Sequence, residues 1–190
     1  MDVNQLQRIA DSKNLTIKIQ VREVLGLKIF RIIVAQVNNN SVKIFGEIKG
    51  WALPVRDGLQ LDTLRILNGS PKFVSELIWA TTMAWALEKN KCKFARLLAI
   101  YDSEGYSKKL VRYFRLIGFT VIKEVGASPS DLFLRLIWGG AGTLMKGDCS
   151  KILIILREVS LNIWRIFHQE EINIKVNVMC LMREYLWIKI

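Results

Sequence analysis

Histidine is nearly absent from this chain: His168 is the only one among 190 residues. Cysteine is scarce too. Cys92, Cys149 and Cys180 lie far apart and form no Cys-x-x-Cys pair. These two shortages exclude a zinc site of the Cys/His type, which needs about four such side chains at close spacing. The odd cysteine count fits reduced, packed thiols in a chain that is not exported. His168, beside Gln169-Glu170-Glu171, reads as a solvated helix-end side chain. No apolar run reaches the roughly 18 residues of a membrane span. The greasiest stretch, Ile152 to Phe167, is broken by Arg157, Glu158, Asn162 and Arg165. The start, MDVNQLQRIADSKN, lacks the apolar core of a secretory signal, so a cytoplasmic chain is expected. Internal repeats and low-complexity linkers are also missing, which predicts one domain.

What is present is a hydrophobic fraction of 51% with six tryptophans, enough for a substantial core. The formal charge is +11. It is spread along the chain, with 15 basic and 8 acidic side chains in residues 1–100 and 13 and 9 in the remainder. No polybasic run or RNA-binding aromatic motif stands out, so nucleic acid is not an expected partner. The local excess is Lys108, Lys109, Arg112 and Arg115 on one predicted helix. It reads as a solvated face, or as a contact for an acidic protein or for ligand phosphates.

The periodicity predicts a short helix over Asp2–Asp11, then strands from Leu15, over Leu27–Val37, Ser41–Ile48 and Leu59–Leu67. Gly26, Asn38-Asn39-Asn40 and Asp57-Gly58 supply the turns of this antiparallel meander. A helix is predicted over Lys72–Lys89, with Leu77, Ile78, Met83, Ala84 and Leu87 on its apolar side. The strand Leu97–Tyr101 follows. Leu110, Val111, Phe114, Leu116 and Ile117 recur at helical spacing, Gly118 closes that helix, and Phe119 opens a strand. A strand–helix–strand connection of this length favours a parallel pair. Asp131–Trp138 is predicted as a further strand, with Gly139-Gly140-Ala141-Gly142 as its flexible end or a bulge. Lys151–Phe167 reads as a helix and Ile172–Val178 as a strand. The ending MREYLWIKI is apolar enough to pack on the domain or on a partner. The fold class is thus α/β (α+β), a mixed sheet, with a body over 1–149 and a C-terminal extension over 150–190.

The segment from Phe94 to Val125, with its Tyr-Phe-Arg-Leu-Ile-Gly-Phe ending, resembles the second half of the GCN5-related N-acetyltransferase (GNAT) fold. The phrases MAWALE (Met83–Glu88), LVRYFRLIGF (Leu110–Phe119) and LIWGGAGTLMKGD (Leu136–Asp148) are similar to a GNAT-related group of cyanobacteria and plastids. That resemblance covers roughly Lys72 to Cys149. It implies a cyanobacterial or plastid-type setting and transfer of acetyl from acetyl-CoA to an amine. It also implies that the fourth and fifth strands splay apart to admit the pantetheine arm. The pyrophosphate would then sit at the start of the following helix. The positions implied for acetyl-CoA binding are Leu67, Gly69, Lys72, Phe73, Val74 and Ser75. The family's Arg/Gln-x-x-Gly-x-Gly/Ala pattern is not repeated there, and Pro71 removes one N–H donor. Where the family carries a proton-donating tyrosine, this chain has Phe114, with Tyr113 adjacent and Tyr101 and Tyr106 as further candidates. Asp62, Glu76 and Glu47 are candidate bases, and spacing selects none of them. The alternative is a catalytically silent GNAT-shaped binding or assembly factor.

Overall fold

The computed structural model describes residues 1–38, 41–100 and 106–158, the side chains of 106 and 107 excepted. Helix α1 (Val3–Asp11) starts at a reciprocal cap: Asp2 accepts from the Gln5 amide while the Gln5 side chain accepts from the Asp2 amide. Strands β1 (Thr16–Val24), β2 (Leu27–Asn38), β3 (Ser41–Ala52) and β4 (Leu59–Ile66) form the meander. Leu25 and Gly26, both at positive φ, close the first hairpin. Helix α2 (Val74–Asn90), β5 (Phe94–Ile100), α3 (Tyr106–Leu116) and β6 (Phe119–Val125) follow. Gly118, at φ 105°, terminates α3 in the left-handed conformation.

The predicted strand over Asp131–Trp138 is a helix instead. After a single 3-10 turn at Pro129–Asp131, α4 runs over Leu132–Trp138 and Gly139 caps it at φ 76°. Leu134 and Trp138, one turn apart, pack on Leu98, Val125 and Leu144. Leu132, Phe133, Leu136 and Ile137 stay exposed. This surplus of exposed apolar residues hides the helical period in the sequence. The glycine cluster is accordingly a helix cap and a strand start, because β7 begins at Gly142 and runs to Asp148. Residues 149–158 are helical (α5), and the expected strand at Ile172–Val178 lies outside the described residues.

The seven described strands form one mixed sheet in the order β1-β2-β3-β4-β5-β7-β6. The β4–α2–β5 unit gives the predicted parallel pair. Strand β7 inserts between β5 and β6, antiparallel to both. That insertion is tight: a Cβ on Gly142 would lie 2.3 Å from the Ala99 carbonyl oxygen. Helix α2 is buried almost all round rather than on one side, with Leu87, Glu88 and Lys89 its only accessible positions. It is clamped between the sheet, α1 and the α3 aromatics. Its Thr81 and Thr82 hydroxyls donate to the Leu77 and Ile78 carbonyls at 2.7 Å, which is how two polar side chains are tolerated there. Trp79, Phe114 and Phe119 meet edge-on beneath it, and Phe30 packs on Trp85 at 4.7 Å between centroids. Cys92 and Cys149 are fully buried in this core.

Alternate residues of β1–β5 turn into the core beneath α2, among them Ile17, Phe30, Ile32, Ile48, Leu61, Leu64 and Leu97. Among the described helices, α1, α2, α3 and α5 all lie on this side, their buried residues sharing that one core cluster. On the other side, α4 packs only at the β5-β7-β6 end. No described helix is long and apolar enough to cross a membrane.

Candidate functional site

The parallel pairing of β4 and β5 is short. Leu59, Gln60 and Leu61 register with Ala95, Arg96 and Leu97, and there the register ends. Both strands continue, β4 to Ile66 and β5 to Ile100, without pairing to one another. The two parallel strands therefore part towards their carboxyl ends, the crevice position at which ligands of open α/β sheets bind. Its origin is local. The β3–β4 register shifts between Lys49 and Gly50, so that Thr63 opposes Lys49, Leu61 opposes Gly50, and Asp62 has no β3 partner. An extra residue on one strand bends it and increases its twist. Asp62 sits at this bulge, one residue beyond the last β4–β5 pair, exposed and accepting from the Thr63 hydroxyl at 3.0 Å.

The six positions expected to hold acetyl-CoA gather at the mouth of the crevice, in the 67–73 loop and the first turn of α2, and they differ in what they offer. The Leu67 amide donates to the Phe45 carbonyl at 2.8 Å. Gly69 is left-handed, at φ 76°, and the space where a Cβ would stand is open, with no atom within 4 Å. Lys72 is exposed. Phe73 occupies the N-cap position of α2 and is half-buried, with the Lys13 ammonium 5.9 Å from its ring centroid. Having no side-chain oxygen, it makes no side-chain cap hydrogen bond to the first-turn amides. Val74 is wholly buried and presents no surface to a ligand. The Ser75 hydroxyl is buried and lies 3.3 Å from a Glu76 carboxylate oxygen.

The candidate bases separate clearly. Glu47 lies on the far side of the sheet, bound to Arg31 and Lys49. Burial pulls its carboxyl upward, but the hydrogen bonds from the two cations outweigh this and hold it below the ordinary range. It is a paired structural anion. Glu76 is buried at the start of α2, and desolvation raises its pKa above the ordinary 4.5. Asp62 is the candidate carboxylate at the crevice itself.

Phe114 is fully buried against Trp79 and Phe119 and has no proton to give. The Tyr113 hydroxyl accepts from the Trp79 indole N–H at 3.0 Å, tying α3 to α2. Burial, with the Glu76 charge adding to it, pushes this hydroxyl up to about 12, so it stays protonated. Tyr101 lies outside the described residues, as does the Tyr106 side chain. On α3, Lys108, Lys109, Arg112 and Arg115 are exposed, as their spacing implies. The bulge at Asp62 and the Ser75–Glu76–Tyr113–Trp79 cluster are what sequence inspection misses. A bulge shows only as one strand falling out of step with its neighbour, and the cluster joins residues of two helices.

No family model matches the chain, and no curated protein matches it.

Proposed function

We propose that this chain is a GNAT-type protein that takes acetyl-CoA into the β4–β5 crevice and transfers its acetyl group to an amine. The observation that carries the proposal is the end of parallel pairing at Leu61 and Leu97. The unpaired stretch of β4 beyond it offers backbone groups to an extended amide chain, as in recognition by strand addition. The left-handed Gly69 allows close approach of a phosphate to the backbone, Lys72 brings positive charge, and the α2 N-terminus lies next to both. In the transfer, the amine nitrogen attacks the thioester carbonyl carbon and the carbon–sulfur bond breaks. The amine's proton passes through Asp62 to solvent, and the CoA sulfur leaves and takes a proton from water. A buried Phe114 cannot supply that proton.

A catalytically silent binding factor is the second reading, favoured by one specific observation. Phe73 and Val74 occupy the place of the phosphate-loop glycines, and Pro71 lacks an N–H. Isothermal titration with acetyl-CoA, CoA and ADP, followed by thiol release in the presence of polyamines and aminoglycosides, separates the two. Saturable micromolar binding with turnover lost in Asp62→Asn supports transfer. Binding without turnover supports the silent factor. Absence of heat at millimolar acetyl-CoA removes the acyl-CoA site altogether.

A further inference from the structure

The charge that is diffuse along the sequence is not diffuse on the sheet. Residues opposite one another in register share a face, and successive residues alternate between faces. On the side turned away from α2, one row runs Arg22, Ile29, Trp51, Gln60, Arg96 and Lys146 across β1, β2, β3, β4, β5 and β7. The next holds Gln20, Arg31, Lys49 and Thr63, and the third Lys18, Ile33, Glu47 and Arg65. Seven cations therefore stand on this face against Glu47, Asp57 and the bulged Asp62. Glu47 is taken up by Arg31 and Lys49, and Asp57 by Arg96 and Lys146. Lys18, Arg22 and Arg65 are exposed and form no ion pair among the described residues. Two half-buried aromatic rings stand among these cations. Trp51 is one, and Phe94, flanked by Arg56, Lys93 and Lys146 at 5.2, 5.9 and 4.0 Å from its ring centroid, is the other. Neither ring packs in a core cluster of described residues. Over β1–β4 no described helix covers the face.

We propose that this cationic face of β1–β5, on which Lys18, Arg22, Lys49 and Arg65 are exposed, binds single-stranded nucleic acid. Charge complementarity selects a polyanion. The accessible rings select bases over an acidic peptide, because every base has a π-face to stack and an Asp/Glu-rich segment has none. A sheet surface with half-buried aromatic rings and flanking cations suits an extended single strand, whereas duplex reading needs a projecting helix or ribbon. The face borders the crevice at Asp62, but its cations lie outside the six positions expected to hold acetyl-CoA, and the proposal stands independently of acyl-CoA binding.

The test is fluorescence anisotropy of the full chain with labelled 12-nucleotide oligo(U) and oligo(dT), using polyglutamate as the base-free polyanion. About three to five phosphate contacts give a log–log salt slope of about −2 to −3.5, a loss of roughly 15- to 130-fold between 50 and 200 mM salt. The triple variant Lys18→Glu, Arg22→Glu, Arg65→Glu should keep the wild-type melting temperature and weaken binding at least about tenfold. Trp51→Leu should weaken it roughly 5- to 100-fold through lost stacking, with Phe94→Leu as the second probe if the first variant misfolds. Reversal of Lys108, Arg112 and Arg115 on α3 should leave binding unchanged. The proposal is overturned by no binding at 50 mM salt, by polyglutamate binding as tightly with both ring variants silent, or by loss of binding on the α3 reversal alone.

Discussion

Placing a tyrosine at position 114 tests whether that side chain belongs to the reaction site or to the core. Phe114 has no solvent exposure, and its ring meets Trp79 and Phe119 edge-on at 6.1 and 6.0 Å between centroids. The nearby Trp79 N–H is already given to Tyr113. A hydroxyl added to Phe114 would find no free partner among these rings. Burying it unpaired costs about 1–3 kcal/mol, and forcing extra volume into a packed core adds about 1 kcal/mol or more. The sum is about 2–4 kcal/mol, which lowers the melting temperature of a domain of this size by roughly 5–15 °C. Thermal melting and urea titration of Phe114→Tyr read this directly. Phe114→Leu, which removes atoms without adding a polar group, calibrates the cavity contribution. A Phe114→Tyr protein that melts like wild type, or that gains acetyl transfer, would place the ring at the crevice and refute the core assignment.

Two further outcomes concern stability. Glu76 has a folded pKa raised above its ordinary 4.5, so the folded state holds its proton more tightly than the unfolded chain. Stability from this group is therefore complete below pH 4.5 and declines as pH rises towards the raised value. Glu76→Gln should melt higher than wild type at about pH 7 and match it near pH 4, and an equal gain at both would contradict the desolvation cause. Gly142→Ala drives a Cβ to 2.3 Å from the Ala99 carbonyl oxygen, where backbone must move. It should lose about 2 kcal/mol or more in urea unfolding, and a neutral result would mean that β5 and β7 are not so closely apposed.

Where local chemistry and tertiary environment agree, the fold was legible in the chain. The Asp2–Gln5 cap, the Leu25-Gly26 turn and Gly118 at the end of α3 each satisfy a backbone requirement with residues close in sequence. The alternation of β1 survives because Ile17 turns into the core while Thr16, Lys18 and Gln20 stay exposed. Asp131–Trp138 failed for the opposite reason. Only Leu134 and Trp138 of α4 find core partners, and four exposed apolar residues mask the period. The expected acetyl-CoA positions were brought to one place, yet Val74 and Ser75 turned inward, because the first turn of α2 is as buried as its middle.

Sequence alone determined the types and order of most elements, the parallel β4–β5 unit and the grouping of the loop before α2. These follow from side-chain period and turn chemistry, which act over a few residues. Tertiary structure decided that β7 enters between β5 and β6, that β4 bulges at Asp62 and leaves β5, and that Phe114 belongs to the core. It also gathered Lys18, Arg22, Arg31, Lys49, Arg65, Arg96 and Lys146 onto one face. Cross-strand register creates such neighbours between residues as far apart as Phe94 and Asp148, and no local pattern in the chain encodes that proximity.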